Sequence, residues 1–267
     1  MEANLTNKIN PLLFSPSPRE ITRVYEALKN TGYDRLYSKN FPEEPAYNLG
    51  LDFFLAKEEY THFVICPDDL VVGKKHIDAL IADLEENDYP ILAGVCNVNK
   101  TDKKDLLNIT LNLPHPTRNN PKRNIIGWRY MAWVSADYDY GDEPIQSFPF
   151  SGFAAQFISR EIMKKIQFAD DGKFNQESDV YRSSLDVMFS NAMALIKVPQ
   201  RVDLRVKMEH LREDEIVDAM IGDGEVRFYP ANQDKYHIIY EEPKGNKNKW
   251  RVVKNDKGIE EAALMRA

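Results

Sequence analysis

Cysteine is almost missing from this chain: there are two in 267 residues, Cys66 and Cys96, each inside an apolar run. Two thiols cannot build a disulfide framework or a cysteine-rich zinc site, and they read as buried free thiols. Long apolar runs are missing too, since none approaches the roughly 20 residues that a membrane span needs. The first residues, Met-Glu-Ala-Asn-Leu-Thr-Asn-Lys, lack the basic-then-apolar order of a signal peptide. The expectation is a cytoplasmic protein with no transmembrane segment.

No single sign of charge dominates: 35 Lys and Arg stand against 42 Asp and Glu, a formal net charge of −7. Such a mixed surface offers little attraction for phosphate backbones or anionic lipid, so nucleic acid is not an expected partner. The most basic stretch, residues 118–129, is rich in Asn and Pro and reads as a solvated loop that could reach a diphosphate or an acceptor. The sequence has no Gly-rich phosphate loop, no Gly-x-Ser-x-Gly nucleophile turn and no two-histidine metalloprotease helix, which removes several enzyme classes. It has no internal repeat.

What is present is 43% hydrophobic residues, enough to bury a full core. Residues 1–211 read as one main domain. Residues 212–267 turn polar, carry Gly222-Asp-Gly224 and Lys244-Gly-Asn-Lys-Asn-Lys249, and read as a C-terminal appendage. Along the domain, apolar runs alternate with helical spacing. Pro11-Leu-Leu-Phe14 is a strand, residues 19–29 a helix, residues 33–37 a strand and residues 46–57 a helix. His62-Phe-Val-Ile-Cys66 is a buried strand stopped at Pro67. A helix through Ile77, Leu80, Ile81 and Leu84 follows, then the strand Ile91-Leu-Ala-Gly-Val-Cys96. That alternation predicts an α/β fold with a mainly parallel sheet flanked by helices, its ligands at the carboxyl ends of the strands.

The middle third reads as an antiparallel extension built on strands at 106–113 and 125–134. Residues 154–158 are a strand, 160–168 and 183–195 are helices, and 196–198 and 202–208 are strands.

Several residues could carry chemistry. Asp68 and Asp69 sit where a buried strand stops, a place that suits either a turn or a site for a hard divalent cation, Mn2+ or Mg2+, that bridges to a diphosphate. His210 ends an alternating strand and, beside a carboxylate, would complete a site open to substrate phosphates. Asp186, at a helix start, reads either as helix-end charge or as a general base, with Asp179 as the competing candidate. Ser151-Gly152 lies between phenylalanines that suit a core, and Gly152 could let backbone approach a ligand. The acidic loop 137–143 has its glycine and glutamate misplaced for an EF-hand and reads as solvated.

The order of these motifs resembles the A-type glycosyltransferases, particularly the inverting, bacterial and archaeal-type members related to family two. The likeness spans residues 10–211. Ala46-Tyr-Asn-Leu-Gly50 resembles the segment before the metal strand, and Tyr60-Thr-His-Phe-Val-Ile-Cys-Pro-Asp-Asp-Leu-Val72 the strand ending in the family's Asp-x-Asp motif. Ser151-Gly-Phe-Ala-Ala-Gln-Phe-Ile-Ser-Arg-Glu-Ile162 is similar to a Gly-containing strand and Arg-Glu helix near donor and acceptor. Asp186-Val-Met-Phe189 resembles the helix start carrying the base, and Val206-Lys-Met-Glu-His210 a late strand ending in a metal-binding histidine. Pro67 stands where the family usually has its first acidic residue, and Leu185 where it has the Glu of a Glu-Asp pair.

The resemblance implies a nucleotide-binding sheet that takes a nucleoside-diphosphate sugar and passes the sugar to a glycan, lipid or protein acceptor. It implies Asp69 and His210 as metal ligands and Asp186 as base. Ser15, Pro16, Arg19, Asn48, Asp68 and Gly152 would lie at the nucleotide sugar. Two rivals share these features: a nucleotidyltransferase, and a sugar-nucleotide-binding scaffold whose site has decayed.

Overall fold

The structure, a computed structural model, describes residues 8–17, 19–39, 43–101, 104–111, 115–120, 125–127, 133–168, 185–211, 226–228, 235–241, 247–255 and 258–265. The first part alternates strand and helix as the sequence predicts. It runs β1 (Pro11–Ser17), β2 (Arg19–Ile21), α1 (Thr22–Lys29), β3 (Arg35–Lys39), α2 (Glu43–Leu55), β4 (His62–Ile65), β5 (Leu70–Val71), α3 (Lys74–Glu86) and β6 (Ile91–Thr101). Strands then dominate: β7 (Lys104–Thr110), β8 (His115–Asn120), β9 (Ile125–Gly127), β10 (Trp133–Ser135), β11 (Ile145–Phe148), β12 (Phe150–Ser151) and β13 (Gln156–Ser159). The helices α4 (Arg160–Met163) and α5 (Leu185–Leu195) lead to β14 (Gln200–His210). The tail adds β15 (Val226–Phe228), β16 (Lys235–Glu241), β17 (Lys247–Asn255) and β18 (Gly258–Met265).

The result is a mixed α/β protein on a mostly open sheet. Strands β1 and β3, β1 and β4, and β6 and β14 pair in parallel. Strand β13 lies between β4 and β6, antiparallel to both. Five strands, β1, β3, β4, β6 and β14, therefore point the same way, and their carboxyl ends form one edge. The sheet is mixed where the sequence suggested mainly parallel. Parallel neighbours need a long crossover, and the described residues between β6 and α4 contain no helix to supply one, so that stretch folds back on itself in antiparallel pairs. In the tail, β16 adds antiparallel to β3, and β17 and β18 extend the sheet outward, while β15 pairs with β2.

Alternation along the central strands fills two layers. Leu12, Phe14, Phe63, Ile65, Ile91 and Ile158 face α2, α4 and α5 through Tyr47, Phe54, Ile162 and Phe189. Leu13, Val64, Leu92 and Phe157 face α1 and α3 through Leu28, Ile77, Leu80 and Leu84. Truncating one such side chain, Phe63 to Ala for example, costs about 3–5 kcal/mol in transfer and cavity terms. Both Cys66 and Cys96 are buried free thiols. The phenylalanines around Gly152 are core residues: Phe148, Phe150 and Phe153 are all buried. No helix among the described residues is long and apolar enough to cross a membrane.

Several expected elements differ. Residues 19–21, read as the start of a helix, form β2, and residues 118–120 and 125–127 of the basic stretch read as a loop belong to the paired strands β8 and β9. The helix anticipated over residues 160–168 closes at Met163, because the chain leaves to seat Phe168 between Tyr47 and Phe189, at ring-centroid distances of 5.0 and 6.2 Å. Residues 196–198, read as a strand, instead finish α5. Lys197 takes the left-handed conformation at φ 59°, and Val198 N–H returns to Met193 O at 2.9 Å, a helix-ending pattern.

Candidate active site

Strand β4 hands over to a tight turn at the carboxyl edge of the sheet. Cys66 N–H still donates to Phe14 O at 2.8 Å, Pro67 has no N–H to continue the ladder, and Leu70 N–H closes back on Pro67 O at 3.3 Å. The turn aims the chain into β5, which pairs antiparallel with the end of β14: His210 lies opposite Leu70, and Leu211 N–H donates to Asp69 O at 2.8 Å. The turn reading of Asp68-Asp69 holds here. The pair does form a turn, and the turn sets Asp69 beside His210 across 141 positions of sequence (210 − 69).

Asp69 Oδ2 is 3.3 Å from His210 Nε2, and both side chains are about a quarter exposed. His210 Nδ1 is 2.8 Å from Asn97 O. A carbonyl oxygen only accepts, so Nδ1 carries a hydrogen and Nε2 is the atom turned toward the carboxylate. A neutral imidazole in that tautomer presents a lone pair to a negative oxygen. The contact is favourable only with positive charge in it, either a proton on Nε2 or a cation held by both side chains. One carboxylate oxygen and one imidazole nitrogen suit a manganese-like ion with positions left for substrate oxygens. Among the described residues no group of three or more His, Cys, Asp or Glu gathers as a closed cage.

Gly94 in β6 helps set this geometry. A Cβ there would lie 2.6 Å from Val206 O and 2.5 Å from Met208 Cε, so only glycine lets β14 run this close. The β6–β14 register shifts between Val202 and Lys207, beside this contact, and the strand then delivers Met208 opposite Cys96 and His210 to the edge.

The second carboxylate comes from α5. Asp186 lies in its first turn, where its Oδ1 accepts from Val187 N–H at 2.8 Å. Its Oδ2 would be 3.4 Å from a Cβ on Gly152, the same spot that lies 3.5 Å from Asn108 Nδ2. Cys96 connects the two halves. Burial first, and then the Asp69 and Asp186 carboxylates, together push its thiol up to about 12. The hydrogen bonds place both carboxylates at the same end of β6: Asn97 holds the His210 ring that faces Asp69, and Cys96 N–H donates to Asn108, whose amide borders the same Gly152 spot as Asp186 Oδ2.

The other sequence candidates fall at varied places. Ser15 and Pro16 are buried at the carboxyl end of β1, opposite Tyr37 and Ser38 of β3. Arg19 lies in β2, opposite Phe228 of β15. Asp68 is half-buried in the turn beside Asp69. Asn48 has its amide on Phe168, donating to the carbonyl at 2.8 Å and accepting from the N–H at 2.9 Å, so it ties α2 to the segment after α4. Asp179 lies outside the described residues. Arg160 caps α2: its guanidinium donates to the carbonyls of Phe54 (2.9 Å), Leu55 (3.3 Å) and Tyr60 (2.8 Å) and stacks 4.3 Å from the Phe54 ring. Loop 137–143 is largely exposed, with Gly141 N–H turned onto Asp139.

Asn97 and Asn108 were not singled out from the sequence, and Cys96 was read only as a buried thiol. The available signal was Asn108 within Leu106-Leu-Asn-Ile-Thr110, a polar amide in a strand whose neighbours are apolar.

No family model and no curated protein sequence matches the chain. Among solved structures, the crystal structure of A197 from STIV aligns over 97% of this chain and 99% of that one, at a TM-score of 0.43 and 12% sequence identity. A likeness that loose says nothing about function.

Proposed function

We propose that this chain is a glycosyltransferase of the A-type fold. It takes a nucleoside-diphosphate sugar at the carboxyl edge of the sheet and passes the sugar to an acceptor hydroxyl with inversion. The observation that supports this best is the Asp69–His210 contact, with its histidine tautomer set by Asn97, at the same end of β6 as Asp186. A divalent cation, Mn2+ or Mg2+, held by Asp69 and His210 would neutralise charge on the departing diphosphate. Asp186, anchored through Oδ1 by the Val187 amide, presents Oδ2 beside Gly152, where it would take the proton of the acceptor hydroxyl. Gly152 adds no side chain there, so acceptor backbone or ring atoms could approach. Ser15 and Pro16, at the end of β1, would border the nucleoside, with Arg19 and Asp68 beside it.

The test is a panel of UDP- and GDP-sugars, scored for release of nucleoside diphosphate with and without Mn2+. The reading requires cation-stimulated release that Asp69→Ala and Asp186→Asn both abolish. Pyrophosphate release from a nucleoside triphosphate would move the chain to the nucleotidyltransferases, and nucleotide binding without turnover would make it a scaffold.

A further inference from the structure

We infer that Asn108 is a positioning residue that sets the candidate base, Asp186, and the candidate metal histidine, His210, in one frame. The inference rests on the assignment of Asp186 as base. Asn108 is 3% exposed on β7, between Leu107 and Ile109, which face the core formed with Val95 and Val134. Burying an amide is costly unless both its ends are bonded, and an apolar side chain would fill the same space at less cost. Here both ends are used. Oδ1 accepts from Cys96 N–H at 2.9 Å, and Nδ2 donates to Gly152 O at 2.9 Å. The main chain adds a third link, Gly152 N–H to Asn108 O at 2.8 Å.

These links run to both halves of the site. Cys96 directly precedes Asn97, whose carbonyl fixes the His210 tautomer. Asp186 Oδ2 lies 3.4 Å from the point where a Cβ on Gly152 would sit. One amide therefore spaces the end of β6 from the Gly152 peptide, and with it the histidine from the base. The chemistry is specific to Asn: Asp offers acceptors at both ends and would set a negative oxygen against the Gly152 carbonyl, and Ala offers nothing. A displacement of about 1 Å between such groups costs on the order of 10²-fold in rate.

The experiment compares wild type, Asp186→Asn, Asn108→Ala and Asn108→Asp for nucleoside diphosphate release from UDP- and GDP-sugars with Mn2+, as kcat, donor KM and the pH profile of kcat. Asp186 is also titrated through its carboxyl-carbon NMR resonance without donor or metal. The expected result for Asn108→Ala is a kcat 10- to 100-fold lower, on the scale of such misplacements, with donor KM changed less than about threefold. In Asn108→Asp, the acid limb of the profile and the Asp186 resonance both move to higher pH, because a second carboxylate disfavours the charged base. Asn108→Asp keeps the volume and carries the test alone if Asn108→Ala does not fold. Wild-type kcat and an unmoved Asp186 titration in the Asn108 variants, with Asp186→Asn inactive, overturn the inference and leave the base assignment standing. Full activity in Asp186→Asn, or no release by the wild type, removes the base assignment and this inference with it.

Discussion

Asp69 Oδ2 and His210 Nε2 face each other at 3.3 Å, and the far side of the same imidazole is fixed on the Asn97 carbonyl. This is the arrangement in which an outer hydrogen bond sets which nitrogen is offered to an ion. If a cation rather than a proton supplies the positive charge, Mn2+ binds the apo protein in a 1:1 ratio, measured by calorimetry or by loss of the free-ion EPR signal. His210→Ala and Asp69→Ala should each weaken it at least 10-fold, the lower end of what losing an outer-shell partner alone costs. Undiminished Mn2+ binding in both variants would sink the assignment.

Asp186→Asn separates chemistry from folding. The amide keeps an oxygen for the Val187 N–H, and Asn and Asp serve helix starts about equally, so stability should change by less than about 1 kcal/mol. Loss of the base should lower kcat by about 10²- to 10⁴-fold. A melting temperature near wild type together with that loss supports the role, whereas a large drop in melting temperature assigns Asp186 to the fold.

Much of this was legible in the sequence, for identifiable reasons. His62-Phe-Val-Ile reads as a buried strand because the pattern of burial leaves no polar side, and Pro67 marks its end because it has no N–H. The partnership of Asp69 with His210 was reachable only through motif order, since it is made by β5 pairing with β14, a contact that periodicity does not encode. What was illegible follows from tertiary choices. Strand β13 enters between β4 and β6, Asn108 serves two peptides at once, and Phe168 draws the chain away from α4 into an aromatic cluster. Asn48, placed at the nucleotide sugar by its motif, holds its amide on the Phe168 backbone.

Gly94→Ala tests whether the β6–β14 approach delivers His210. The added Cβ would meet Val206 O, main chain that cannot rotate away, so β14 must shift. Overpacking of this kind costs about 1–3 kcal/mol. The expected outcome is a folded, less stable protein whose Mn2+ affinity falls more than that of a core variant of equal stability loss elsewhere, such as Ile77→Val. Equal affinities in the two would show that β14 has slack at its end.

His62 gives the fold an acid sensitivity whose sign can be worked out. It is 8% exposed at the start of β4, its ring tilted on Phe157 at 6.1 Å. Burial pulls its pKa down from 6.5 to about 4, against the opposing pull of Asp88. Between those values the unfolded chain holds a proton that the folded chain refuses, so stability falls as pH drops from about 6.5 to 4, by up to about 3 kcal/mol, and levels off below. Asp83 works the other way. Burial and the neighbouring Asp203 carboxylate raise it to about 6 against the pull of Arg205, so the folded state holds the extra proton there, and stability from that group falls as pH rises from 3.8 to about 6. The two slopes overlap, and wild type alone cannot resolve them. The difference in urea unfolding free energy between wild type and His62→Phe removes the Asp83 contribution. Relative to wild type, the variant should gain about 3 kcal/mol on going from pH 7 to pH 4, and a flat difference across that range would mean that His62 is protonated in the fold.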